Sequence, residues 1–272
     1  MTNWLSQTGY PLEMRVAQRL QDAKLAQNWE REPNLTYVDV LTNEERETDY
    51  YLDWWEENDK YCLVFRIVIE CKSTKNPWIV FRRAAKREQP ATSLFDFRQN
   101  LTLHWVQEYG QLTPVMTALN DHLEGRVHQW PAPGYAIVEA FKGANSKDAA
   151  YNAARQTLSA AVGATVNTWD SSFQKLGCSI VAPIVITTSP LFEARLDNGG
   201  TSVVAQPVSC TSVEVELKSV RCVARVLIMN DERLDEVVAD CLALEKHLPH
   251  FSEIFNPQLI KRSKGAFGPR WY

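Results

Sequence analysis

The chain has 272 residues, 45% of them hydrophobic, enough to bury a substantial core as one large domain or one domain with an insertion. Its net charge of −4 excludes a uniformly basic nucleic-acid coat, so contact with phosphates has to come from local patches. No apolar run approaches the roughly 20 residues that span a bilayer, the start MTNWLSQTGY lacks a signal pattern, and six scattered cysteines contain no C-x-x-C pair, so a reduced, cytoplasmic protein with no membrane partner is expected.

From Pro11 to about Gln27, Leu12, Val16, Leu20 and Ala23 recur at helical spacing, and Pro11 suits a first turn. LTYVDV at 35–40, ETDYYLDW at 47–54 and YCLVFRIVIECK at 61–72 are rich in β-branched and aromatic residues and separated by polar turns, which predicts a β-meander. PWIVF at 77–81 is a further short strand with Pro77 at its start or on an edge. Residues 82–134 change character. RRAAKREQ is basic, LFDFRQNLTLHWVQEYG and PVMTALNDHLEG have helical spacing, and HQWPAPG closes the stretch, so a helical insertion or lid is expected there.

Strand character resumes in YAIVEAF at 135–141, an alanine-rich helix is expected over 147–166, and SIVAPIVITTS at 179–189 reads as a buried strand. LFEARL and TSVEVELKSVRCVARVLIM supply further strands, and ERLDEVVADCLALEKHL at 232–248 is a helix. The basic, aromatic tail KRSKGAFGPRWY is open to three readings: a free end, a DNA-touching arm or a docked edge strand. His247 and His250, spaced H-x-x-H at a helix end, read as a dipole cap rather than zinc ligands, because no further cysteine or glutamate partners them. Trp78 packs under the sheet or stacks on a base.

Glu70 and Lys72 lie two apart on one predicted strand, so both leave the same face. A carboxylate and an ammonium ending an apolar strand are costly to bury unless they pair or bind something, although an E-x-K on a half-exposed strand also serves as an ordinary salt pair. Asp49 starts the preceding strand. A meander sets the two strands side by side, so Asp49 and Glu70 can converge on a divalent cation; the competing reading is a solvated turn residue. Glu13, at the edge of the inward stripe of the first helix, faces the rival reading of a first-turn acid favoured by the helix dipole.

Taken together, GYPLE opening a helix, RETD, and IECKSTKNPW resemble the restriction-endonuclease-like PD-(D/E)xK superfamily over about the first 80 residues. The resemblance implies an α/β fold with a central mixed β-sheet flanked by helices, here one nuclease-like domain over 1–272 with the 82–134 insertion inside it. It implies Glu13, Asp49, Glu70 and Lys72 as catalytic residues and Mg²⁺, with Mn²⁺ as a substitute, held by Asp49, Glu70, the Cys71 carbonyl and, through water, Glu13. Lys72 orients or activates the attacking water in this scheme. AAYNAARQTLSA is similar to a helix that follows the core in some of these proteins, which brings Gln156 toward the site as an accessory residue. The sequence departs from the pattern at Thr48, where an apolar residue is usual, and at the bulky Tyr50 and Tyr51. Arg82, Arg83, Lys86 and Arg87 are candidate contacts to a nucleic-acid backbone, or a solvated helix face. The expected substrate is DNA ahead of RNA. A homodimer, a protein partner, an RNA-directed nuclease, and a catalytically silent or partner-activated scaffold of the same fold remain as alternatives.

Overall fold

The computed structural model describes residues 9–25, 29–57, 61–83, 91–94, 101–104, 123, 125–143, 147–167, 176–197, 200–220, 222–247 and 270–271. In chain order the elements are α1 (Tyr10–Asp22), β1 (Trp29–Val38), β2 (Glu45–Glu57), β3 (Tyr61–Lys72), β4 (Trp78–Phe81), β5 (Leu101–His104), β6 (Ala136–Glu139) and α2 (Ala149–Asn167). They continue with β7 (Leu176–Thr187), β8 (Leu191–Leu196), β9 (Val203–Val208), β10 (Cys210–Leu217), β11 (Cys222–Asn230), a 3-10 turn (Asp231–Arg233), α3 (Leu234–His247) and β12 (Arg270–Trp271).

β1, β2 and β3 form the expected antiparallel meander, and β3 then pairs in parallel with β7 along its whole length, from Tyr61↔Leu176 to Lys72↔Thr187. A parallel pair needs a crossover, and α2 lies on it. The far edge of β7 is shared: β11 runs parallel to residues 184–187, and β5 runs antiparallel to residues 178–181. β10 completes the sheet as the hairpin partner of β11, and β12 pairs with β5. A second sheet has the order β6-β4-β8-β9. The protein is therefore α/β, with mixed sheets and few helices.

The period-2 alternation of the strands divides the core in two. Tyr50, Leu52, Phe65, Ile67, Ile69 and Ile184 face α1 and α3, where Leu12, Val16, Leu20, Val237 and Cys241 cover them. Tyr51, Val68, Val181, Val185 and Ile228 face α2 and the second sheet, meeting Ala153, Ala154, Leu158 and Ala161 with Trp78, Val80 and Leu191. Small residues let α2 come close. A Cβ on Gly163 would lie 2.7 Å from the Val38 carbonyl oxygen.

One sequence expectation changes here. Residues 101–104, assigned helical spacing, form β5, because the amino-terminal half of β7 would otherwise be an open edge. The described parts of 82–134 also contribute to the core: Leu94, Leu123 and Trp130 are buried against the α1–α3 face. Buried Arg225 donates to Thr92 Oγ1 at 2.9 Å and to the Ser93 carbonyl at 2.8 Å, while buried Asp240 accepts from His128 N–H at 2.7 Å and Trp130 Nε1 at 2.6 Å. Residues 105–122, where more helix was expected, lie outside the described residues, as do His250 and all of the tail except β12. Of the three readings of the tail, residues 270–271 take that of a docked strand. Cys71, Cys210, Cys222 and Cys241 are free and buried, and among the described residues no helix is long and apolar enough to cross a membrane.

Arg66, on β3, is fully buried and binds β2 and α2 at once. Its Nε donates to Asp53 Oδ1 at 2.8 Å, Nη2 to Asp53 Oδ2 and the Tyr51 hydroxyl at 2.6 Å each, and Nη1 to the Ala164 carbonyl near the end of α2 at 2.7 Å. Asp53→Ala leaves this guanidinium buried without its counter-charge, and a loss of about 3–5 kcal/mol is expected. Urea unfolding would report it as a lower midpoint at unchanged slope; a midpoint within error of wild type would show that the pair does not stabilise the fold.

Candidate active site

The β2–β3 ladder ends at Tyr50↔Ile69. One step further the register sets Asp49 against Glu70, and there the side chains of β2 replace the ladder. Thr48 Oγ1 donates to the Ile69 carbonyl at 3.0 Å, and Asp49 Oδ2 accepts from the Cys71 N–H at 2.6 Å. Thr48 is fully buried, and the Ile69 carbonyl gives its hydroxyl the partner that a buried polar group needs. By strand alternation Asp49, Glu70 and Lys72 fall on the face of Tyr51, Val68 and Arg66, toward α2.

Lys72 is positioned from behind by the loop that follows it. Thr74 N–H and Oγ1 bond Ser189 Oγ at 3.1 and 2.8 Å, and Asn230 Nδ2 donates to the Thr187 carbonyl at 3.0 Å, so the ends of β3, β7 and β11 form one hydrogen-bonded unit. Trp78 is fully buried and donates from Nε1 to Thr74 Oγ1 at 2.9 Å; it packs beneath the site. Glu13, from α1, belongs to the same electrostatic group: burial raises its pKa, the Asp49 charge raises it further and Lys72 opposes.

Burial and mutual repulsion dominate the carboxylates. Glu70 is pushed up to about 8, first by burial and then by the Asp49 charge, against the pull of Lys72. Asp49 is also raised by burial, although the Cys71 N–H and Lys72 favour its ionised form. The Cys71 thiol is driven far up by burial and the surrounding acids, so a carbonyl is what this residue offers a cation. Among the described residues, Asp49 Oδ1 and both Glu70 oxygens accept no hydrogen bond. Two adjacent carboxylates with free lone pairs fit a hard divalent cation. Among the described residues no group of three His, Cys, Asp or Glu side chains converges as a metal site, so such an ion would rely on Asp49 and Glu70 and fill its sphere with water, carbonyl or substrate oxygens, as Mg²⁺ commonly does.

A cleft of about 760 Å³ opens between the β1–β2 turn and the first turns of α2, reaching Lys72 but lined by neither Asp49 nor Glu70. Lys72 and Gln156 both line it, together with Arg46, Lys147, Tyr151 and Arg155. The last four escaped the sequence reading. Arg46 is hidden in the acidic run NEERETD, and Tyr151 and Arg155 lie in a helix whose alanines signal only packing; their spacing of four, which puts them on one helix face, was the available clue. Asp39 holds the turn against α2. Burial works to raise its carboxyl, but hydrogen bonds from Ser159 Oγ at 2.6 Å and Leu41 N–H at 2.9 Å, with the Arg46 charge, outweigh that and keep it below the usual range.

Arg82 and Arg83 are not at the cleft. Arg82, with 8% of its side chain exposed, pairs with Glu193 at 3.4 Å and donates to the Ala132 carbonyl, and Arg83 pairs with Glu214 at 3.5 Å. The Arg82 guanidinium is thus engaged by internal acceptors. Lys86 and Arg87 lie outside the described residues. Comparison of the chain with protein-family models, with curated proteins and with solved structures finds no match.

A raised carboxyl pKa means that folding takes up a proton between the ordinary value of 4.5 and about 8. The stability this confers is complete below the lower value and is lost as pH rises through the upper one. In EDTA, Glu70→Gln is therefore expected to gain stability relative to wild type as pH rises from about 5 to about 8. A difference in melting temperature that stays constant over this range would show that Glu70 ionises normally.

Proposed function

We propose that this chain is a Mg²⁺-dependent nuclease of the PD-(D/E)xK kind, hydrolysing phosphodiester bonds of DNA. The observation that carries the proposal is the register that sets Asp49 against Glu70 where the β2–β3 ladder stops, with Lys72 on the same face. The central mixed sheet between α1 and α3 on one face and α2 on the other agrees with the core that the sequence resemblance implies.

Held by Asp49 and Glu70, Mg²⁺ would lower the pKa of a bound water and offset charge on the scissile phosphate. The remaining work falls to the side chains. Lys72 forms no ion pair among the described residues, so its ammonium is free to hold the attacking water and to stabilise the negative charge that builds on the phosphoryl oxygens. The water oxygen bonds to phosphorus and releases a proton to solvent, the bond from phosphorus to the leaving sugar oxygen breaks, and that oxygen takes up a proton from solvent. Gln156, across the cleft, offers an amide donor and acceptor to a water or phosphate at the same place. Glu13 adds negative charge at the rim, which favours occupation of the site by a cation.

The test is incubation of the purified chain with supercoiled plasmid, linear duplex, single-stranded DNA and RNA in Mg²⁺, Mn²⁺ or EDTA. DNA cleavage in either metal, abolished by EDTA and reduced about a hundredfold or more in Lys72→Ala and Asp49→Asn, is expected. Mg²⁺ should also raise the melting temperature of wild type near pH 8 and leave that of Asp49→Asn unchanged. A wild-type protein that cuts nothing and gains no stability from Mg²⁺ would refute the proposal and favour the silent scaffold.

A further inference from the structure

The charge balance of the cleft is one-sided. Four cations line it (Arg46, Lys72, Lys147, Arg155) against two carboxylates, Asp39 and Asp148. Both carboxylates are engaged within the protein. Asp39 takes hydrogen bonds from Ser159 and Leu41 and pairs with Arg46 at 2.9 Å. Asp148 accepts from the amides of Glu139 and Tyr151 at 3.1 and 3.0 Å and pairs with Lys142 at 3.0 Å. Lys72, Lys147 and Arg155 form no ion pair among the described residues. A chain of net charge −4 thus leaves Lys147 and Arg155 unpaired around one opening, beside Lys72, whose charge is shared with Asp49 and Glu70.

One aromatic side chain lines the same opening, and a second is next in the chain to a residue bonded to its wall. Tyr151, in the lining, is 43% exposed and precedes Arg155 by one helical turn. Phe141 is 89% exposed and sits beside Lys142, whose Nζ holds Asp148 in the cleft wall. Its φ of 56° is one that bulky side chains rarely adopt, and no packing of the ring offsets the cost. Alternating cations and solvent-facing rings are how proteins grip unpaired nucleic acid, with phosphates on the cations and bases on the rings. The dimensions agree: about 760 Å³ is the scale of a small-ligand site, with room for a short piece of one strand.

We propose that this cleft binds an unpaired nucleic-acid strand, its bases stacked on Tyr151 and Phe141 and its backbone held by Lys147 and Arg155, leading a phosphate to Lys72. The last step rests on the nuclease reading; the strand binding does not.

Fluorescence anisotropy in EDTA tests it with the full chain, using labelled oligo(dT) and oligo(rU) of about 15 nucleotides and a duplex of equal length. Oligo(dT) is expected to bind at least about tenfold more tightly than duplex, and Tyr151→Ala and Phe141→Ala each to weaken it about tenfold while Tyr151→Phe retains binding. Arg155→Gln should lower the slope of log affinity against log salt by about 0.7, the share of one phosphate contact on a single strand. Both aromatic positions are exposed, so unchanged melting temperatures will confirm intact folds. Tighter binding of oligo(rU) than of oligo(dT) would uphold the inference and identify the strand as RNA. Duplex binding equal to oligo(dT), or strand binding indifferent to both alanine variants, would overturn it. Strand binding with no metal-dependent cleavage removes the nuclease reading alone, whereas duplex cleavage without strand binding removes this inference alone.

Discussion

A guanidinium with no solvent exposure sits where β2, β3 and the end of α2 meet, and the site's architecture follows from it. Arg66 is shared among the Asp53 carboxylate, the Tyr51 hydroxyl and the Ala164 carbonyl, with the Tyr51 ring 4.8 Å from its Cζ. A buried ion pair of this kind returns little net stability over a packed apolar pair, but it tolerates few alternative arrangements because every donor must find its acceptor. It anchors one end of α2. Near the other end, Asp148 takes the Tyr151 amide and Glu139 Oε2 takes the Ala149 N–H, while Ser159 bonds Asp39 in between. The helix carrying Tyr151, Arg155 and Gln156 is thereby fixed over the strand carrying Lys72.

The carboxylates are held by a different constraint. Strand alternation sends Ile67, Ile69 and Cys71 to the α1–α3 core and leaves Glu70 and Lys72 on the other face; a slip of one residue would exchange the two sets and bury both charges among aliphatic side chains. Apolar burial therefore enforces the register that brings Asp49 and Glu70 together. Burial raises the pKa values of Glu13, Asp49 and Glu70, and the Asp49 charge raises those of Glu13 and Glu70 further. Clustered acids that shift one another in this way are costly to a fold and mark sites of function more often than of structure.

The cleft also sets a local excess of cations on an acidic chain. The chain carries a net charge of −4, while the cleft gathers Arg46, Lys72, Lys147 and Arg155 around one opening. Arg82 and Arg225 illustrate the converse. Each is a basic residue that the fold uses internally, one against Glu193 and the Ala132 carbonyl, the other against the 92–94 segment.

The sequence by itself determined what depends on local periodicity: α1, α3 and the meander, the alanine-rich α2, the shared face of Glu70 and Lys72, and the strand character of residues 179–187. These follow from side-chain spacing along one element, which chain neighbours settle. Partners distant in sequence were decided by tertiary structure. Residues 101–104 became a strand because β7 had a free edge, Arg82 was taken up by Glu193, and Thr48 proved to close the ladder on Ile69. The cleft itself joins Arg46 to Arg155 and Tyr151 across more than a hundred residues, and only the docking of α2, set by Arg66 and the close approach at Gly163, brings them together.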